Sequence, residues 1–375
     1  MKRCIIAPDS FKGTLTARDA CAAIARAVRH CAPDWDCCCL PVADGGEGTV
    51  DCFLQALSGE RVAVTMHGPF GEPMTGYYAR QGAAAVIEMA QAAGLPLVEG
   101  RADPARTSTW GVGEQIAQAV TDGCTEVLLG LGGSCTNDGG CGMAAALGAR
   151  FYDAMGVPFV PVGGTLGRIA RIDLTELWAR LNGVHITAMC DVDSPLYGPR
   201  GAACVFAPQK GADRAMTAQL DAGLRALARH LPDGISDKPG AGAAGGMGAG
   251  VMAFLGGQLR PGIEAVLDAV GFDGLLRDTA LVLTGEGYFD GQSLCGKVVD
   301  GVARRAGGRV PVIALVGAIG AYAALPEAYA RGVTAVVGIN QGKESLEEAR
   351  AHAAQRLTQT AETVLRIWRH TADAP

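Results

Sequence analysis

The acids of this chain that could do chemistry sit beside glycines, each group just after a short run of aliphatic residues. Asp9 and Ser10 follow "RCIIAP", with Lys12 close behind. Asp44 and Glu47 flank Gly45 and Gly46 in "ADGGEG", and Asp191 and Asp193 stand in "CDVDSP". "GLGGSCTNDGG" (130–140) holds Gly132, Gly133, Ser134, Thr136, Asn137 and Asp138, and "TGEGYFDGQSLCGK" holds Gly285, Glu286, Asp290, Ser293 and Lys297. Carboxylates next to bare backbone amides can share a divalent cation with phosphate oxygens, or move a proton. One such acid is commonly a cap and nothing more. Five junctions of the same kind point to a site.

The stretch at 130–140 is neither a P-loop, since GxxxxGK[ST] is missing, nor a dinucleotide fingerprint, whose following acid and helix do not line up. Its physics still suits an anion. Glycines let the backbone approach, Ser134 and Thr136 offer hydroxyls, and the helix "GMAAALGA" starts just after, its positive dipole end towards the loop. Asp138 would repel a bare phosphate, so a shared Mg²⁺ is expected there; the alternative is a helix cap at Asn137 or Asp138. In the same way Asp290 and Glu286 suit Mg²⁺ and nucleotide, with Ser293 adding a hydroxyl and Lys297 a counter-charge, although a solvated helix lysine reads identically.

The elements that must position these groups alternate. "RCIIAP" precedes the amphipathic "ARDACAAIARAVRH", in which Ala20, Ile24, Ala27 and Val28 share a face. "ALVLTGEG", "VPVIALVGAIG" and "VTAVVGIN" alternate with helical stretches towards the C-terminus, the pattern of α/β units with a mostly parallel sheet. The segments "RVAVTMHG", "TGYYARQ" and "AAVIEMA" are closely spaced and predict antiparallel hairpins. The expected fold class is α/β: a Rossmann-like parallel-sheet domain from residues 1–64 and 276–375, with a second α/β domain (65–275) inserted. Open α/β sheets bind ligands beyond the carboxyl ends of their strands, where all five junctions fall.

Composition narrows the partners. A net charge of −6 with no basic run argues against nucleic acid. Thirteen cysteines, an odd number in a long chain, oppose a disulfide framework, and there is no CxxC; unpaired thiols in a reducing cytoplasm are expected. Cys37, Cys38 and Cys39 would alternate faces on a strand and cannot converge on one metal. "PGAGAAGGMGAGVMAFLGGQL" has about the length of a membrane span, but its eight glycines expose backbone, so a loop and a short packed helix are expected rather than a membrane segment.

Six segments together, "IAPDSFKGTLTA", "PVADGGEGTVD", "GLGGSCTNDGG", "CDVDSPLYGPRGAACVFAPQKGA", "PGAGAAGGMGAG" and "TGEGYFDGQSLCGK", resemble the class I, bacterial-type glycerate kinase family from end to end. The resemblance implies phosphoryl transfer from ATP, with Mg²⁺, to D-glycerate, giving 2-phosphoglycerate, with 3-phosphoglycerate as the alternative product, in a cleft between two α/β domains of a monomer or homodimer. Asp191, directly after the buried-looking strand "ITAMC", is the first choice of base and Asp44 the next, with a metal-ligand role as the alternative for either. Asp193 joins Asp138 and Asp290 as candidate metal ligands. For the glycerate carboxylate the candidates are Ser10, Lys12, Arg200 and the amides of Gly45, Gly46 and Glu47. Tyr288 replaces a frequent Arg, Ser293 a common Thr and Cys135 a small residue, while Tyr197 is larger than expected. A nucleotide-cofactor oxidoreductase and a non-catalytic sugar-acid binding protein are the competing classes; no strand–GxGxxG–helix unit supports the first.

Overall fold

The computed structural model describes residues 2–11, 13–42, 45, 48–57, 59–294, 296–321, 325–340 and 345–372. The chain divides into two compact units, one of residues 1–44, 55–58 and 263–375, the other of 45–54 and 59–262. In chain order the strands are β1 (Arg3–Pro8), β2 (Asp36–Cys39), β3 (Glu60–His67), β4 (Pro73–Gln81) and β5 (Ala84–Glu88). Then come β6 (Glu126–Gly130), β7 (Arg150–Tyr152), β8 (Pro158–Phe159), β9 (Arg171–Asp173) and β10 (His185–Met189). The last four are β11 (Gln258–Arg260), β12 (Thr279–Phe289), β13 (Val312–Ile319) and β14 (Val333–Gly338).

In the first unit five parallel strands run in the order β14-β13-β12-β1-β2. From the β1–β12 pair the chain winds outward in opposite directions, so the sheet has its switch point between them, where Ala7 faces Thr284 and Pro8 faces Gly285. β12 runs through Phe289, so the strand read in "ALVLTGEG" holds Gly285 and Glu286 and continues beyond them. The Ala17–Cys31 helix starts at Thr16, whose hydroxyl accepts from the Asp19 amide at 3.1 Å. Its Ala20, Ile24, Ala27 and Val28 are all buried, the face the spacing predicts, and pack with Ile6 and Leu283.

The second unit has a six-stranded sheet, β11-β10-β6-β5-β4-β3. β5, β6, β10 and β11 are parallel, while β3, β4 and β5 pair antiparallel as the hairpin pattern predicts. A small antiparallel sheet, β8-β7-β9, lies apart from it.

The limits differ from the sequence partition for visible reasons. β3 begins at Glu60 because its pairing with β4 extends to Glu60–Arg80, which takes 59–64 into the second unit. Residues 263–275 join the first unit, where Arg305 pairs with Glu264 at 3.1 Å and with Asp268. In the stretch of membrane-span length, Ala244, Gly245 and Gly246 are left-handed and regular helix follows to Phe254. No helix among the described residues is long and apolar enough to cross a membrane. The twelve described cysteines are free thiols, six of them buried; Cys37, Cys38 and Cys39 are half-buried on β2 rather than in the core.

Candidate active site

At the carboxyl end of the first sheet, beside its switch point, lies a pocket of about 350 Å³. Asp9 and Ser10 after β1, Glu286 and Tyr288 on β12, and Asp290 and Lys297 beyond it all line it. The sequence placed five of these six in the site; Tyr288 entered only as a departure. The Asp9 amide donates to the Gly285 carbonyl at 2.9 Å, and the Asp9 carboxylate accepts from the Ser10 amide at 2.6 Å, which ties this turn to β12. Asp290 Oδ1 accepts from the amides of Gln292 (2.8 Å) and Ser293 (3.3 Å), and the Asp290 amide donates to Ser293 Oγ at 3.0 Å. This closed turn fixes the acid and leaves its other oxygen without a hydrogen bond among the described residues.

Glu286 is the most buried of the three acids in this pocket. It is 7 % exposed, and its Oε1 has no hydrogen-bond partner among the described residues. Burial pushes its pKa up to about 7; hydrogen bonding from Ser293 opposes this, Asp9 adds to it, Lys297 opposes it and Asp290 adds to it. An orphaned, buried carboxylate oxygen beside two further acids fits a hard divalent cation. Lys12, Asp44, Gly46 and Glu47 lie outside the described residues.

In the second unit three of the predicted junctions converge at the carboxyl ends of β6 and β10. Gly45 takes φ +89°, and a Cβ there would stand 2.6 Å from Met189 Cβ; a Cβ on Gly130 would stand 2.6 Å from the Gly45 carbonyl oxygen. That carbonyl accepts from the Gly132 amide at 3.1 Å. Gly45, the start of the 130–140 loop and the β10 end that carries Asp191 are therefore neighbours, and only glycine allows the approach. Asp191 is exposed, and its Oδ1 accepts from the Gly262 amide at 2.9 Å. Asp193 and Arg200 are also exposed.

The 130–140 loop itself corrects the sequence reading. Asp138 is fully buried, and its two oxygens accept from Thr109 N, Thr109 Oγ1, Gly140 N and Gly142 N at 2.8–3.2 Å. The next amide of the following helix, Met143 N, donates to Thr109 Oγ1 at 2.9 Å. The carboxylate oxygens that would hold Mg²⁺ and the amides at the start of the following helix are thus taken up by the protein, which is the capping alternative, while Thr136 Oγ1 and the Asn137 side-chain amide have no hydrogen-bond partner among the described residues. Ser134, Thr136 and Asn137 are buried too. The Gly139 amide donates to the Gly245 carbonyl at 3.0 Å, and a Cβ on Gly245 would meet Thr136 O at 2.0 Å, so the loop is sealed under the glycine stretch at 239–250.

Sequence reasoning missed the group that holds this loop. Lys210 is 2 % exposed and donates from Nζ to Ser134 Oγ (2.8 Å) and to the Thr136 carbonyl (2.7 Å). A single lysine in "FAPQKGA" carries no signal of burial. Desolvation lowers its pKa to about 8, against the pull of Cys135 and Asp138. A base depressed on folding penalises the native state while it stays charged, so the penalty is relieved as pH rises from about 8 towards the free value of 10.5. Unfolding midpoints in urea should therefore gain from this residue across that window, and Lys210→Met should remove the gain. An identical slope in the variant would reject the assignment. Tyr197, the unexpectedly large residue, lies 4.5 Å below the Arg225 guanidinium and packs against the core of its unit. The other residue missed is Arg350, from the Leu346–Ala351 helix, which lines the pocket of the first unit.

A mixed-charge pocket at the switch point of a parallel sheet is where α/β enzymes as a class bind their ligands. Comparison with known families matches the glycerate kinase family over residues 4–369. A glycerate kinase of Halalkalibacterium halodurans is 43% identical over 373 residues, covering 97% of each chain. The glycerate 2-kinase of Escherichia coli K12 is 44% identical over 323 residues, 84% of this chain and 85% of that one. The crystal structure of a Salmonella typhimurium LT2 protein provisionally named glycerate kinase 2 superposes with a TM-score of 0.88 at 41% identity, over 100% of both chains. The chain belongs to the glycerate kinase family and is a phosphotransferase.

Proposed function

We propose that the protein phosphorylates D-glycerate with ATP and gives 2-phosphoglycerate by direct in-line transfer. The observation that carries the nucleotide half of this reading is the pocket of the first unit. It joins three acids, Asp9, Glu286 and Asp290, to two cations, Lys297 and Arg350, as a metal–polyphosphate complex requires. Glu286 and Asp290 would hold the metal; when bound, Mg²⁺ supplies neutralisation of phosphate charge. Lys297 offers a point charge to phosphate oxygens, and the half-exposed ring of Tyr288 offers a flat surface for a base.

The acceptor half lies with the second unit. Asp191 takes the proton of the attacking hydroxyl, and its hydrogen bond from Gly262 fixes the carboxylate while it does so. Arg200, with the amides from Gly45 to Glu47, binds the glycerate carboxylate, and Ser10 and Lys12 remain candidates for the same anion. The 2-phosphate is preferred because the Escherichia coli relative is named a glycerate 2-kinase. Unpaired thiols agree with a cytoplasmic setting.

The test is ³¹P NMR of the product formed from D-glycerate, ATP and Mg²⁺, alongside ADP release with a panel of small hydroxy acids. The phosphorus resonance should be that of the 2-phosphate. A 3-phosphate resonance would correct the regiochemistry alone. Absence of turnover on glycerate, or far faster turnover of malate or tartrate, would overturn the substrate.

A further inference from the structure

We infer that Arg350 binds the phosphates of the nucleotide that are not transferred, a role that rests on reading the first unit's pocket as the nucleotide site. Two observations on Arg350 lead there. The first is its position: it lines the pocket from the helix Leu346–Ala351, and its Nη2 would lie 3.6 Å from a Cβ on Gly13, in the turn that follows β1. The second is its lack of a partner. Other arginines of the first unit are tied to acids, Arg305 to Glu264, Asp268 and Asp273, and Arg331 to Asp300. Arg350 shares its pocket with three carboxylates, yet among the described residues its guanidinium has neither an ion pair nor a hydrogen bond.

The two pocket cations divide the work by chemistry and place. Lys297 is close enough to Glu286 to favour its charged form, which sets the ammonium at the carboxylate end, where the metal and the transferred phosphoryl group belong. Arg350 has Gly13 on one side and, along the pocket wall, Asn340 and Ala353. Asn340 is itself held, donating to the Gly317 carbonyl at 2.8 Å and accepting from Arg356 at 3.2 Å. A guanidinium is a planar fork that takes two oxygens of a phosphate chain at once, which an ammonium cannot do. A contact to phosphates that stay on the leaving group is already made in the ground state, so it acts mainly on nucleotide affinity and less on the chemical step.

Calorimetric titration of Mg·ADP and of adenosine into the full-length enzyme and its Arg350→Ala, Arg350→Gln and Arg350→Lys variants tests this. A charge-assisted hydrogen bond is worth enough to predict roughly 10- to 100-fold weaker Mg·ADP binding in the Ala and Gln variants. The Lys variant should recover part of the loss, and adenosine affinity should not change. In steady state the KM for ATP should rise by a similar factor, with kcat within about 3-fold and the KM for glycerate unchanged. If wild type fails to bind Mg·ADP, the nucleotide reading of the pocket falls. If wild type binds it and the Arg350 variants bind it equally well, or lose adenosine and ADP alike, the assignment of Arg350 falls by itself.

Discussion

Asp191→Asn is expected to lower kcat by roughly 10²- to 10⁴-fold while the KM values for ATP and glycerate stay near wild type, the usual effect of removing a positioned general base. Asparagine keeps an oxygen that can accept from the Gly262 amide, now at 2.9 Å, so the packing at the end of β10 survives the change. What it cannot do is take a proton at neutral pH. Asp191 is exposed, as a group that meets a substrate hydroxyl must be, while the strand behind it, Ile186, Ala188 and Met189, is buried and holds its backbone still. Three outcomes separate three roles. A base loses kcat at every Mg²⁺ concentration. A metal ligand loses activity that high Mg²⁺ partly restores. A residue that only caps the segment at Gly262 leaves kcat within a few-fold, because the asparagine caps equally well. The last two results each overturn the assignment of Asp191 as base.

What could be read from the sequence follows from how local each signal is. Strand and helix patterns depend on neighbours a few residues apart, so the buried face of the Ala17–Cys31 helix and the hairpins of β3, β4 and β5 were legible in advance. The junctions were legible for the same reason: Gly45 and Gly130 betray a close approach of backbone without saying what approaches. Burial is not local. Asp138 and Asp290 look alike beside their glycines, yet one is enclosed by four donors and the other faces a pocket. The 2 % exposure of Lys210 depends on a loop some seventy residues earlier in the chain, and Arg350 reaches the first turn from near the far end of the chain. A lone cation in an ordinary segment reads as solvated until the fold is known. The strand in "ALVLTGEG" was legible too, but not what its glycine is for: Gly285 lets β12 lie against β13, since a Cβ there would meet the Leu315 carbonyl oxygen at 2.0 Å.

Glu286→Gln should separate catalysis from stability in opposite directions. The folded carboxyl has its pKa raised from 4.5 to about 7 by burial, so the native state favours the neutral acid. Its contribution to stability is fully present below about pH 4.5 and is lost as pH rises through 7, the reverse of a salt-bridged carboxylate. The loss is at most about 3 kcal/mol by linkage from those two pKa values. Glutamine cannot ionise, so the metal-free variant should show no such decline and should melt higher than wild type at pH 8. Catalysis should move the other way. A cation needs the ionised carboxylate, so Mg²⁺ activation of wild type should rise with pH through about 7, and its midpoint should fall as Mg²⁺ is raised, since metal and proton compete for one group. The variant should need on the order of 10²-fold more Mg²⁺ for half-maximal rate, the scale seen when a metal site loses its support. Melting curves with and without Mg²⁺ complete the test: added metal should stabilise wild type at pH 8 and leave the variant unchanged. A variant that gains stability yet keeps the Mg²⁺ dependence of wild type would show that the orphaned oxygen of Glu286 is a strained structural group, and the metal site would then have to be sought at Asp9 and Asp290 without it.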